Sequence, residues 1–324
     1  MGTPAVCASQ GGYVHEAFFY AGDDDFVSSS ADFVAEGLRR GEHVVVAVVA
    51  EKAELLRAAL DGQAARVTFM DMAECGRNPA RIIQLWHDLV EAAELRGSRV
   101  RGIGEPIWAA RTHDELLEAQ LHEALLNDAF DADSQLLLRC PYDVSSLDRD
   151  VLVTARATHP EVVDGQGRTP SAAFSPDAVV GGAFREPLLE PAVVEAELSY
   201  GPLDLLMIRR QVAVTAARHD MPAEDVEALV LSVREIAVNS IRHGGGSGRL
   251  RMWVDARRLV CELSDSGHIA ESMVGRLRPP PESEHGRGVW LANQLCDLVQ
   301  IRSSDRGTVV RLHVGLPPVG AVSG

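Results

Sequence analysis

The chain has 324 residues, 46% of them hydrophobic, enough for two domains with cores of their own. Its 47 acidic and 31 basic residues give a formal net charge of −16, a surface that repels phosphate backbones. Nucleic acid and anionic membranes are thereby excluded as partners of the whole molecule.

Five scattered cysteines (Cys7, Cys75, Cys140, Cys261 and Cys296) form no C-x-x-C pair. They argue for a reducing compartment and against a disulfide framework or a zinc site. The N-terminal stretch lacks the basic and apolar regions of a signal peptide. The longest apolar run, at 44–50, is too short to span a membrane, so a cytoplasmic protein is expected.

Five short apolar runs follow: EAFFYA (16–21), HVVVAVV (43–49), RVTFM (66–70), RVRGIGE (99–105) and SQLLLRCPYD (134–143). Between them lie helical patterns at 24–40, 52–60, 79–95 and 112–130. This alternation predicts an α/β domain with a parallel sheet, whose ligands sit outside the carboxyl ends of the strands. Residues 161–194 are dense in proline and glycine and read as a linker. Beyond it come helices from 203 and 222, strands at 249–256 and 258–265, a helix from 288, and strands at 300–304 and 308–314. That order predicts an α+β sandwich, with helices on one face of a mixed or antiparallel sheet.

The helix from 222 carries Glu235, Asn239 and His243 on one stripe, off its packing face, with glycines directly after it. Alone, such a stripe is a solvated helix face. Here it belongs to an ordered set with Asp265-x-Gly267, Gly286-x-Gly288 and Gly307-Thr308. The set resembles the N, G1, G2 and G3 boxes of the GHKL (HATPase_c, Bergerat fold) ATPase superfamily. The wording REIAVNSIRHGG and the short lid resemble the anti-sigma-factor serine kinases of bacterial partner-switching systems. The resemblance covers 195–316.

The chemistry of each residue fits. The Asn239 amide oxygen suits Mg²⁺, a hard ion. Glu235 can take a proton from an attacking hydroxyl or water. Asp265 can accept a hydrogen bond from an adenine amino group, and Gly267 lets the base approach the backbone. Gly286 and Gly288 offer bare N–H groups to phosphate at a helix N-terminus. Thr308 belongs to the last box. His243 either touches phosphate or ends its helix favourably against the dipole. The lid, RLRPPPESEH, offers Arg276 and Arg278 as its nearest cations.

The first part resembles the MEDS (methanogen/methylotroph DcmR sensory) domain over 14–160. The words HEAFFY, GEHVVVAV, NPARI, RGIGEPIW, HEALLN, CPYD and THP carry the likeness. It implies a RecA- or KaiC-like fold without a P-loop. The only lysine, Lys52, has no glycine loop around it. His15, Glu105, Glu123, Cys140, Tyr142 and Asp143 are candidates to line a sensory crevice; as buried structural residues they are explained equally well. GDDDF (22–26) reads as a helix start rather than a calcium loop, and LHEALL around His122 as packing inside the first domain.

Together the resemblances imply a regulator with ATP and Mg²⁺ as cofactors. It would be an anti-sigma factor with serine/threonine kinase activity toward an anti-anti-sigma (STAS-type) partner, sensing a small molecule or redox signal; a homodimer is left open. The alternatives are a non-catalytic ATP-gated protein-binding regulator and a histidine-kinase-like sensor.

Overall fold

A computed structural model describes residues 12–280, 282 and 286–318. Cys7 and positions 281 and 283–285 of the expected lid lie outside the described residues. The described chain forms two compact units. One holds the residues up to 76 together with 85–112 and 123–179; the other holds 77–84, 113–122 and 180 onward.

The first unit is built on a seven-stranded sheet. In chain order the elements are β1 (Val14–Tyr20), α1 (Gly22–Arg40), β2 (His43–Val48), α2 (Ala50–Leu60), β3 (Thr68–Asp71) and the single turn α3 (Met72–Cys75). Then come α4 (Ile82–Glu94), β4 (Val100–Gly104), α5 (His113–Ala129), β5 (Leu136–Asp143) and α6 (Arg149–Thr158), the first residues of α4 and α5, up to 84 and 122, belonging to the other unit. A hairpin of β6 (Glu161–Asp164) and β7 (Gly167–Pro170) follows, then α7 (Pro176–Arg185). The strand order is β3-β2-β4-β5-β1-β6-β7. The central strands β1, β2 and β5 are buried along almost their whole length, as continuous apolar runs covered on both faces must be. Asp23, Asp24 and Asp25 fill the first turn of α1, and Arg39 and Arg40 its last, complementing the helix dipole. Gly102 of β4 makes room for an indole: a Cβ there would lie 2.6 Å from the Trp86 ring of α4.

Two expectations need correction. The sheet is mixed, not parallel, because β7 runs antiparallel to β6. And 161–170 is not linker: β6 adds to the sheet beside β1, pairing Glu16 with Glu161. The hairpin turns at Asp164-Gly165-Gln166-Gly167, where Asp164 Oδ1 accepts the Gln166 amide at 2.9 Å and Gly167 takes a φ of +105°. The Asp-Gly turn signal was present, but strands of four residues are too short to show periodicity.

The second unit contains β8 (Ala196–Tyr200), α8 (Leu205–Arg218), α9 (Ala223–His243), β9 (Gly248–Asp255), β10 (Arg258–Asp265), α10 (Arg287–Leu295), β11 (Leu298–Ser304) and β12 (Gly307–Gly315). Its five strands lie in the order β11-β12-β10-β9-β8, every neighbour antiparallel. The helices share one apolar core with the sheet. Leu229, Val233, Ile236 and Ala237 of α9 are buried with Met252, Cys261, Leu263, Val310 and Leu312. Spacings of three and four put these α9 residues on one face and leave the 235/239/243 stripe off it.

Candidate functional site

Four loops and helix ends of the second unit meet around the end of α9. Glu235 and Asn239, both half-buried, lie one turn apart. The start of α10 comes directly against them. A Cβ on Gly288 would stand 3.2 Å from the Glu235 Cβ and 3.3 Å from Asn239 Nδ2. Gly286 forms the N-cap of α10 at φ +84°, a left-handed conformation that glycine adopts without strain. A helix N-terminus, the positive end of a dipole, thus faces a carboxylate and an amide.

At the C-terminal end of α9 the glycine run makes room for the acidic residue. A Cβ on Gly244 would lie 2.3 Å from the Asp265 carboxyl carbon. Asp265 Oδ1 accepts the Gly267 amide at 2.8 Å, closing a tight loop after β10. Gly267 also meets a constraint within the fold. Its missing Cβ would collide with the carbonyl of His243, 2.7 Å away, so the glycine serves the approach of this loop to α9. Thr308 sits opposite Asp265 across the β10–β12 ladder. Its hydroxyl donates to the Gly267 carbonyl at 3.0 Å and lies 3.0 Å from Ser303 Oγ, so Thr308 fixes the same loop.

Two details were not foreseen. Arg234 Nη1 donates to Glu235 Oε1 at 2.6 Å, a pairing that adjacent positions on a helix do not suggest. Arg276 is buried, its guanidinium 3.6 Å from Glu118 within the same unit, and so is no free cation for a lid. His243 is exposed in the last turn of α9.

The six crevice candidates of the first unit do not share one site. His15 at the start of β1, Glu123 on α5 and Cys140 within β5 come together in the interior, and His159 after α6, which was not foreseen, joins them. All four are at most 1% exposed. His15 Nε2 lies 3.1 Å from Glu123 Oε2, His159 Nε2 3.3 Å from the same oxygen, and Cys140 Sγ 3.5 Å from His15 Nε2. Burial favours the neutral Glu123 carboxyl, but the His159 and His15 rings outweigh it and hold its pKa well below the ordinary range. Burial and then Glu123 push the Cys140 thiol well up. Tyr142 is buried beside this group, its ring edge-on to His159.

Glu105 belongs to a second cluster, paired with Lys52, and the Tyr20 hydroxyl donates to it at 3.4 Å. Burial lifts its carboxyl to about 6 against the pull of Lys52. Asp143 serves a turn, accepting from Ser145 N and Oγ and from Ser146 Oγ. The six candidates thus divide into two buried clusters and one turn.

Residues 14–160 match the family model of the MEthanogen/methylotroph, DcmR Sensory (MEDS) domain. Residues 202–314 match that of the histidine kinase-like ATPase domain. No curated protein matches. Among solved structures, the chain is similar to the RsbU and RsbW domains of Rv1364c from Mycobacterium tuberculosis at 16% identity, with a TM-score of 0.29. That match covers 40% of this chain and 35% of the other, so it spans little more than a third of that structure.

Proposed function

From a chain that joins a MEDS sensory domain to a histidine kinase-like ATPase domain, we propose an ATP-dependent serine/threonine protein kinase. Its substrate would be an anti-anti-sigma partner, and the chain would itself hold a sigma factor as an anti-sigma regulator. The observation that carries the phosphoryl-transfer reading is the setting of the α10 N-terminus, at Gly288, against Glu235 and Asn239. It sets a helix N-terminus, a side-chain amide and a carboxylate within one small region.

The residues fit Mg·ATP. Gly288 leaves bare the space a side chain would fill, and Gly244 leaves room for the Asp265 carboxylate. Asn239 would hold Mg²⁺, Gly286 and Gly288 the phosphates, and Asp265 the adenine. When bound, the metal neutralises charge on the transferred phosphoryl group. Glu235 then accepts the proton of the attacking serine or threonine hydroxyl, while Thr308 and Ser303 keep the Asp265 loop in place.

A second reading rests on Arg234. Its guanidinium occupies Glu235 Oε1, an oxygen that a general base would turn to the attacking hydroxyl, which favours a module whose nucleotide only gates partner binding. Glu235→Ala separates the two readings. A general base acts on the transition state more than on the bound nucleotide. As a kinase, the variant keeps ATP affinity within a few-fold while phosphoryl transfer to the partner falls by roughly 10²–10⁴. Undiminished transfer in the variant removes Glu235 from the reaction. ATP-dependent partner binding without transfer in the parent selects the gated binder, and acid-labile autophosphorylation selects a histidine kinase.

A further inference from the structure

The buried group in the sensory domain has the composition of a metal site, although its cysteine lies in no C-x-x-C pair. His15 Nε2, His159 Nε2, a Glu123 carboxylate oxygen and Cys140 Sγ all lie within 4.8 Å of one another. Two contacts, of 3.3 and 3.5 Å, fall on the edges of a tetrahedron with bonds of about 2.0–2.3 Å, which are roughly 3.3–3.8 Å long, and the third, at 3.1 Å, lies just below them.

The tautomers follow from the outer contacts. His159 Nδ1 is 2.8 Å from the Ala155 carbonyl, which can only accept, so this nitrogen carries the proton. His15 Nδ1 is 3.3 Å from Asn127 Oδ1. The Asn127 amide nitrogen donates to the Ala124 and Thr158 carbonyls at 2.9 and 2.8 Å, which fixes Oδ1 as the acceptor. In both rings the outer nitrogen is engaged, so Nε2 is the atom turned inward, toward the Glu123 carboxylate. His159 Nε2 and Glu123 Oε1 have no hydrogen-bond partner. Such nitrogen and oxygen atoms, gathered with a thiol in a dry interior, suit a bound cation. Histidines anchored through the outer nitrogen are the usual support of metal ligands.

We propose that His15, Glu123, Cys140 and His159 form a four-coordinate site for a divalent transition metal of the zinc type. A mixed N, O and S donor set suits such an ion better than magnesium or calcium, which take oxygen alone. On binding, the Cys140 thiol gives its proton to solvent and the thiolate joins the metal. Four protein ligands make a closed, structural site. It ties β1, α5, β5 and the end of α6 together at one point. The composition argument against a zinc site fails here because the ligands come from four separate elements.

The test uses the full chain, produced in medium supplemented with zinc or with cobalt(II), without nucleotide. We expect about one metal ion per chain. The cobalt form should show a thiolate charge-transfer band and the intense visible bands of tetrahedral geometry. Cys140→Ser, nearly isosteric, should lose the charge-transfer band. His159→Gln should lose the visible bands, and Asn239→Ala should keep both. A chelator should lower the melting temperature of the parent more than that of Cys140→Ser. Folded parent protein with no bound metal overturns the proposal, as does a cobalt spectrum that Cys140→Ser leaves unchanged.

Discussion

Asn239 and Asp265 carry the nucleotide reading at the level of single side chains. Asn239 is the one oxygen ligand the motif offers a metal, and its amide lies at the mouth of α10. Asn239→Ala is expected to abolish Mg·ATP binding with the fold intact; calorimetric titration showing near-parental affinity in magnesium would refute the assignment. Asp265→Ala is expected to weaken ATP by about 1.5–3 kcal/mol, the usual worth of a hydrogen bond to a charged group. The preference for ATP over GTP should fall with it. The carboxylate also holds the Gly267 amide, so Asp265→Asn, which can still accept that bond, is the control for loop geometry. A variant that rejects GTP as firmly as the parent would free Asp265 from base selection. The eight residues assigned to the nucleotide could be nominated from sequence because each lies within a short motif. Arg234 and His159 were not: a neighbour on a helix, and a histidine far from its partners in sequence, leave no spacing to read.

Elements were legible where they were long or strongly apolar. The five runs of the first part became β1 to β5, and the helix carrying REIAVNSIRHGG became α9. β8 escaped notice because its exposure alternates over only five residues at a sheet edge. The β9–β10 hairpin turns through Ala256 and Arg257 at φ +44° and +64°, a left-handed pair that favours Asn-Gly. A side chain such as alanine meets a cost of roughly 1–2 kcal/mol there. Ala256→Asn should therefore raise stability by about 0.5–1 kcal/mol, read as a higher denaturant midpoint at constant slope. No gain would mean that the flanking ladder already absorbs the strain.

For the whole molecule, pH is the informative variable. His313 on β12 is buried, within 3.0 Å of Gln300 Oε1. Burial, then Arg258 and Arg311, lower its pKa from 6.5 to about 3. The folded state keeps this ring neutral while the unfolded chain takes up a proton below 6.5. Its contribution is therefore complete above 6.5 and is lost as pH falls toward 3, at about 1.4 kcal/mol per unit. The parent melting temperature should drop between pH 6.5 and 4 more steeply than that of His313→Gln; parallel profiles would show that other groups govern the acid limit.

Among the described residues, no helix is long and apolar enough to cross a membrane. The sequence alone determined the two-part organisation, the helix-and-strand make-up of each part and the short motifs proposed to hold nucleotide. Those are written in local periodicity and in residues a few positions apart, which a short stretch of chain suffices to specify. Tertiary structure alone decided that Gly288 faces Glu235, that 161–170 completes the first sheet, and that four residues spread from 15 to 159 meet in one buried cluster. Such encounters depend on which strands lie side by side, and strand order is set by packing the whole chain rather than by any segment of it.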